Sequence, residues 1–360
     1  MSIDLGALGW DADRKGQFGV HGRSGCRPGR VTRVDRGVYP VLTADGAVRT
    51  SAAGRLLAHA ARDLTRLPVA GDWVAVRDWP DGHSTVEAVL PRRSAVVRKG
   101  AGRDSLGQVM AANVDTAAVV EALEPSPDPA RIERLLALVW ESGATPVLVL
   151  TKADLVPDPE ALAEQLAVVA PGVPVHAVCG TDPDSLRPLT QYLSAGRTLG
   201  LFGSSGVGKS TMVNTLVGTS VLATRALRAD GRGRHTTTYR ALVPVPGGGA
   251  VLDVPGLRAV GMEDAAAGLE RTFSDITALA AGCRFVDCRH QAEPGCAVQA
   301  AVRDGELAPR RLASWRKLQA EQWRQAGRRE ARAGAVERAD ARRARARAAR
   351  RGSRGPLSGT

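Results

Sequence analysis

Nine residues, GSSGVGKST from Gly203 to Thr211, carry the strongest chemical signal in this 360-residue chain. They match GxxxxGK[ST] directly after an apolar strand sequence and before a helical one, the context of a phosphate-binding loop. Consecutive backbone N–H groups of such a loop wrap phosphate oxygens, and the following helix N-terminus adds positive potential. Gly203, Ser204, Ser205, Gly206, Val207 and Gly208 supply that backbone, with Gly206 and Gly208 leaving room where a side chain would collide. Lys209 is placed to reach the β- and γ-phosphates and the Ser210 hydroxyl to bind Mg²⁺, with Thr211 closing the motif.

Further groups suit the rest of a nucleotide. TKAD (Thr151, Lys152, Ala153, Asp154) follows the apolar run PVLVL and has the form of a guanine-reading NKxD loop. The Asp154 carboxylate can accept from both the ring N–H and the exocyclic amine of guanine, a donor pair adenine lacks. The Lys152 stem packs over the base plane, and Thr151, where Asn is usual, leaves a hydroxyl to tie this loop to the phosphate loop. DVPG, ending at Gly256, matches the DxxG switch element. There Asp253 holds Mg²⁺, directly or through water, and the Gly256 amide senses the γ-phosphate. Between them, GRGRHTTTYR offers Thr236, Thr237 and Thr238, one of which closes on Mg²⁺ as switch I. Leu257 stands where Ras-type enzymes keep a water-orienting Gln, so that task passes to another group. His235 is the candidate, either as that group or as an RNA contact; Arg232 and Arg234 suit charge stabilisation or RNA phosphates equally.

Cys283, Cys288, His290 and Cys296 form C-x4-C-x-H-x5-C. Three thiolates and an imidazole make a closed tetrahedral zinc set, structural because no position stays open for water. Pro294 and Gly295 supply the turn that returns Cys296. Cys26 and Cys179 read as unliganded.

Hydrophobic residues at 44% and charged residues at 24% exclude a wholly disordered chain. There is no apolar run long enough to span a bilayer, no signal-peptide pattern at the N-terminus, and an odd cysteine count unlike a secreted disulfide framework. These features point to a soluble, cytoplasmic protein. Of the net charge of +12, eight units lie between Arg328 and Arg354, where eleven arginines face Glu330, Glu337 and Asp340. Such a footprint favours phosphate-rich partners.

The elements that must position these residues fall into blocks. After an N-terminal extension (1–29), residues 30–100 read as short strands with close turns, a small closed β-barrel of OB-fold or SH3-like type. From 101 to 260, strands alternate with helices, including a helix over SLRPLTQYLSAG, which predicts a mostly parallel sheet covered on both faces. Residues 261–327 are helical around the Cys/His cluster. The Arg-rich segment 328–360 has too few apolar residues for a core, so it is expected to be helical only on a partner, or disordered.

The motif order is unusual, because TKAD precedes the phosphate loop and the switch elements come last. The order TKAD, GSSGVGKST, GRGRHTTT, DVPG, CRFVDCRHQAEPGC, behind a β-rich region and QVMAANVD (Gln108 to Asp115), resembles the ribosome small subunit-dependent GTPase A family. The likeness runs from about Gly29 to about residue 325. It implies a multidomain α/β protein: an OB-fold, a circularly permuted GTPase domain and a zinc-containing helical domain. It also implies GTP and GDP as ligands, the 30S subunit and its 16S rRNA as partners, subunit-stimulated GTP hydrolysis late in assembly, a His at position 235, no membrane, and a monomer. Two alternatives stay open. A permuted GTPase that matures the large subunit typically carries Asn where this chain has Gly206 and lacks the zinc motif. An RNA-binding switch with negligible turnover is the other, kept open by Leu257.

Overall fold

The computed structural model describes residues 2–61, 63–98, 107–222, 240–255 and 265–352. His235, Thr236, Thr237, Thr238 and Gly256, like Arg232, Arg234 and Leu257, lie outside the described residues.

The N-terminal segment is an ordered part of the fold. Helix α1 (Ala12–Arg23) starts at Asp11, whose carboxylate accepts from the Arg14 N–H, a standard way of satisfying a helix start. Strands β1 (Arg27–Val31), β2 (Val38–Thr43), β3 (Gly46–Ala52), β4 (Trp73–Asp78) and β5 (Ser84–Val89) close into a barrel in the order β1-β2-β3-β5-β4. Helix α2 (Gly54–Ala60) lies between β3 and β4, and β3 pairs parallel with β5. This order is that of an OB-fold. Alternation along the strands sends Val31, Val41, Val74, Val76 and Val86 into one apolar barrel core. The first strand begins at Arg27, three residues before the expected start of the barrel, because Arg27 to Arg30 pair with β4.

Beyond the barrel, β6 (Ala95–Arg98) and β7 (Gln108–Ala112) form a two-stranded antiparallel sheet. The main sheet then follows, from β8 (Thr116–Ala122), β9 (Thr145–Thr151), β10 (Val175–Val178), β11 (Thr198–Gly203), β12 (Ala241–Pro244) and β13 (Ala250–Pro255). Its order is β10-β9-β8-β11-β13-β12, parallel except for β12. Both faces are apolar, as burial under helices on each side requires. Along β8, Ala117 and Val119 join the core that contains Ile132 and Leu136 of helix α3 (Pro129–Glu141). Ala118 and Val120 join the opposite core with Met212 and Val213 of helix α5 (Lys209–Val217). Helix α4 (Pro159–Ala167) leads into β10. The expected helix over 185–196 is instead a short 3-10 segment, Arg187–Leu193, with Pro188 in its first turn and Leu189 and Leu193 buried in the core beside the sheet.

The C-terminal region comprises α6 (Ala266–Thr272), α7 (Ser274–Ala280), α8 (Ala297–Arg303) and α9 (Pro309–Gly352). Helix α6 packs so closely on α3 that a Cβ at Gly268 would stand 2.0 Å from the Ala137 carbonyl oxygen. Through the segment beyond 328, α9 continues as one helix to Gly352. Its residues are mostly Ala, Arg and Glu, the strongest helix formers, and helix propensity needs no core to act. No helix among the described residues is long and apolar enough to cross a membrane.

Candidate nucleotide site and metal centre

The parallel sheet gathers the chemistry at one end. Thr151 closes β9, Gly203 closes β11 and Asp253 lies near the end of β13, with Gly203 registered against Pro255 and Val120. The carboxyl ends of parallel strands are where open α/β sheets bind ligands.

The loop from Gly203 turns through Gly206 and Gly208, at φ +86° and +93°, a left-handed backbone that glycine adopts without a Cβ penalty. Ser205 and Gly206 face solvent and nothing lies within 4 Å of a Cβ placed on Gly206, so the concave side is open. Lys209 is buried, and its ammonium donates to the carbonyls of Gly203 (2.9 Å) and Ser204 (2.8 Å), which curls its side chain back over the loop. Ser210 Oγ donates to Asp253 Oδ2 at 3.0 Å. Asp253 is almost wholly buried and its Oδ1 has no hydrogen-bond partner. Burial pushes its carboxyl above the ordinary Asp value, while Lys209 and the Ser210 hydroxyl pull it back. An orphaned carboxylate oxygen beside a hydroxyl is the donor set a hydrated Mg²⁺ takes, so these residues fit that ion.

The TKAD loop is fastened to the phosphate loop. Thr151 Oγ1 donates to the Val207 carbonyl at 2.6 Å, and it also reaches the Glu121 carbonyl at 3.3 Å. Lys152 has φ +60° and its ammonium donates to the Glu124 carbonyl at 2.8 Å, which fixes the aliphatic stem. Ala153 and Asp154 lie in a 3-10 turn, Ala153–Leu155, with Asp154 exposed. Thr211, in the first turn of α5, is half-buried.

Two further parts of this site carry only weak sequence signals. Glu124 contributes only a carbonyl, which leaves no residue-type signal. The connection after β10, Cys179 to Thr181, lies beside α5: Thr215 Oγ1 donates to the Gly180 carbonyl at 2.8 Å, and a Cβ on Gly180 would meet Met212 at 3.2 Å. The run of small residues after a strand was the available signal.

The second cluster is 283–296. The ligand atoms of Cys283, Cys288, His290 and Cys296 all lie within 4.8 Å of one another. Cys283 and Cys296 sulfurs are 3.8 Å apart, and His290 Nδ1 is 3.5 and 3.4 Å from them. A zinc ion with bonds of about 2.3 Å to sulfur and about 2.0–2.1 Å to nitrogen spans tetrahedral edges of this size, so the residues fit that metal. Burial works against the Cys283 thiolate, but N–H donors from Val298 and Ala297 and the neighbouring thiols outweigh it, and its pKa falls. Gly295, at φ +74°, makes the expected return turn, and the Glu293 carboxylate holds the loop by accepting from Arg289, Gln291 and Ala292 N–H groups. The Gln299 amide donates to the His290 and Gln291 carbonyls, and Trp315 of α9 lies against the imidazole at 5.3 Å. Cys26 and Cys179 are free thiols.

A sequence profile of the RsgA GTPase family matches residues 89–263. A Streptomyces coelicolor protein named small ribosomal subunit biogenesis GTPase RsgA is 48% identical over 334 residues, covering 91% of this chain and 89% of the relative. The chain belongs to the RsgA GTPase family. A Syntrophotalea carbinolica protein of the same name is 41% identical over 328 residues, covering 89% of this chain and 90% of that one. Among solved structures, YjeQ from Thermotoga maritima superposes with a TM-score of 0.58 at 24% identity, covering 81% of this chain and 97% of that one. YloQ, described as a circularly permuted GTPase, superposes with a TM-score of 0.56, also at 24% identity, covering 82% and 94%. These likenesses carry the fold. The RsgA GTPase architecture seen here is thus a closed OB-type barrel, a circularly permuted GTPase domain and a helical C-terminal region holding a Cys3His cluster.

Proposed function

We propose that this chain hydrolyses GTP on the small (30S) ribosomal subunit, assists its late maturation, and couples hydrolysis to its own release. The observation that carries this reading is the convergence of Thr151, the Gly203–Lys209 loop and the Ser210–Asp253 pair at one end of the parallel sheet. Asp154 reads guanine, Lys152 covers the base, and the backbone from Gly203 to Gly208 holds the phosphates with Lys209. Ser210 and Asp253 would hold magnesium, whose charge neutralises the β- and γ-phosphate oxygens. One of Thr236, Thr237 and Thr238 closes switch I, the Gly256 amide reports the γ-phosphate, and His235 orients the attacking water. The working division is an extension (1–29), an RNA-binding barrel (30–100), the GTPase domain (101–260), a zinc-stabilised helical domain (261–327) and a basic tail (328–360). Barrel, zinc domain and tail meet 16S rRNA, and the protein acts as a cytoplasmic monomer with one structural zinc.

Turnover by purified protein, measured with and without 30S subunits, tests the reading. Stimulation by 30S and not by 50S subunits is expected, and stimulation by 50S alone would favour a large-subunit factor. His235→Ala should keep GTP affinity while losing most of the stimulated rate. Normal hydrolysis with poor subunit binding would instead make His235 an RNA contact.

A further inference from the structure

The hairpin that joins β4 to β5 carries a stack that the barrel core does not need. The Trp79 indole and the His83 imidazole lie 8° from parallel with centroids 5.6 Å apart. The Arg77 guanidinium lies over the same indole at 5.6 Å. Yet Trp79, just past the end of β4, is 41% exposed and the His83 side chain 53% exposed, whereas Trp73, at the start of that strand, is buried. An exposed tryptophan is ordinarily free to change rotamer. This one is fixed: Trp79 Nε1 donates to Thr85 Oγ1 at 2.9 Å, and Thr85 Oγ1 donates to Glu87 at 2.7 Å. Arg77 donates to the Ser24 carbonyl at 2.9 Å. At the tip, Asp81 accepts from the His83 N–H and lies against His83 Nδ1, while Gly82 makes the turn at φ +86°. The ring orientations are therefore set before any ligand arrives. The His83 ring stacks against the indole, and more than half of its side chain stays in solvent.

We propose that this hairpin is a stacking platform for an unpaired RNA base, which adds to the His83 ring and extends the column of indole and imidazole. The proposal rests on the reading that the chain binds rRNA and names the contact made by the barrel. Loops at this place in OB-folds bind oligonucleotides, and base–aromatic stacking tolerates any sequence because every base has a π-face. Asp78 is neutralised by Arg27 at 2.7 Å, whereas Asp81 at the tip disfavours phosphate there, so a nucleotide approaches base-first, with its backbone directed away from the tip. The chain's net charge of +12 supplies a general attraction to RNA, to which Arg77 beside the stack adds locally.

The test compares full-length wild type, Trp79→Ala, Trp79→Phe and His83→Ala in binding to oligoadenylate of about ten nucleotides, a length within the span of one OB-fold, and to 30S subunits. Trp79→Ala is expected to bind both about tenfold more weakly, His83→Ala several-fold more weakly, and Trp79→Phe close to wild type. Unfolding temperatures should stay at the wild-type value. Should Trp79→Ala fail to fold, His83→Ala, a surface change, decides alone. Variants that keep their fold and bind oligoadenylate within about twofold of wild type overturn the proposal, as does wild type that ignores oligoadenylate altogether. Loss on subunits alone would make the platform a contact for ribosomal protein and overturn the base assignment. Trp79-dependent oligoadenylate binding without any subunit binding would sink the proposed function and leave this inference standing.

Discussion

The loop from Gly203 to Gly208 ends a strand that is buried along its whole length, whereas the loop from Cys283 to Cys296 leaves Phe285 42% exposed and Val286 fully in solvent. Both loops are turns that present ligand atoms, but the first inherits its shape from the sheet and the second has little apolar burial to hold it. The phosphate loop is tied by Thr151 to the end of β9 and by Lys209 to its own carbonyls, and so is formed before nucleotide arrives. The cysteine loop is tied by Glu293, by Gln299 and by its four ligand atoms. A ligand completes the first site; a metal ion must largely hold the second.

The largest expected effect tests that contrast directly. Chelation, or Cys288→Ser, should unfold residues 283–296 outright, because metal–thiolate bonding supplies much of the folding free energy of such a loop. Metal analysis should give about one zinc per chain in the wild type, and limited proteolysis should cut the metal-free loop while GTP affinity stays put. A chain without metal whose 283–296 segment still resists protease would break the comparison.

The C-terminal region also docks through groups that need no metal. Arg311, 1% exposed, donates to both Asp275 oxygens (2.9 and 3.0 Å) and to Glu133 of α3 (2.9 Å), as well as to the Val169 and Thr272 carbonyls. Removing one member of a buried ion network strands the others, so Arg311→Met should lower stability by about 3–5 kcal/mol, read by thermal unfolding. Among the described residues, Glu133 would then keep Arg310, whose side chain is half in solvent. If stability instead falls only on metal removal, docking as well as loop shape depends on zinc.

In the nucleotide site the effects move from folding to affinity. Asp154 is exposed in its turn, so Asp154→Asn should leave the unfolding temperature unchanged. It replaces a charge-assisted pair of acceptors with a group that donates where guanine also donates. GTP affinity should fall roughly 100-fold, as for about 3 kcal/mol, and preference should shift toward xanthosine triphosphate. Unchanged GTP affinity would remove TKAD from the site.

The short motifs were legible because each binds through a few consecutive residues whose types are dictated locally: glycines where φ is positive, Lys and Ser at the helix start, sulfur and imidazole at metal spacing. The strands of the GTPase domain were legible for the same reason, since apolar runs such as PVLVL mark strands buried on both faces. What stayed hidden depends on distant partners. Nothing near Arg30 announces that it is buried and reaches the Asn113 carbonyl and the Thr198 hydroxyl, with desolvation lowering its pKa to about 10 and leaving it charged at neutral pH. Arg311 likewise looked like one more arginine in a basic helix. The barrel type depended on β4 returning to β1, a pairing across more than forty residues that periodicity cannot see. The helix of the tail follows from the propensity of alanine and arginine rather than from a core.

The smallest predicted effect concerns the tie that makes the phosphate loop independent of its ligand. Thr151 is 1% exposed, and its hydroxyl is shared between the Val207 carbonyl at 2.6 Å and the Glu121 carbonyl at 3.3 Å. Valine has nearly the same shape, so Thr151→Val leaves packing intact and removes only the donor. The Val207 carbonyl would then sit in a buried setting without this partner, at a stability cost of about 1 kcal/mol. The loop would also be less firmly held before nucleotide arrives, so part of the binding free energy would go to ordering it, and GTP affinity should drop by about fivefold with base preference unchanged. Calorimetry of unfolding and nucleotide titration on the same preparation measure both. A loss near that of Asp154→Asn would mean the hydroxyl touches nucleotide itself, and no change in either quantity would mean that the sheet alone shapes the loop.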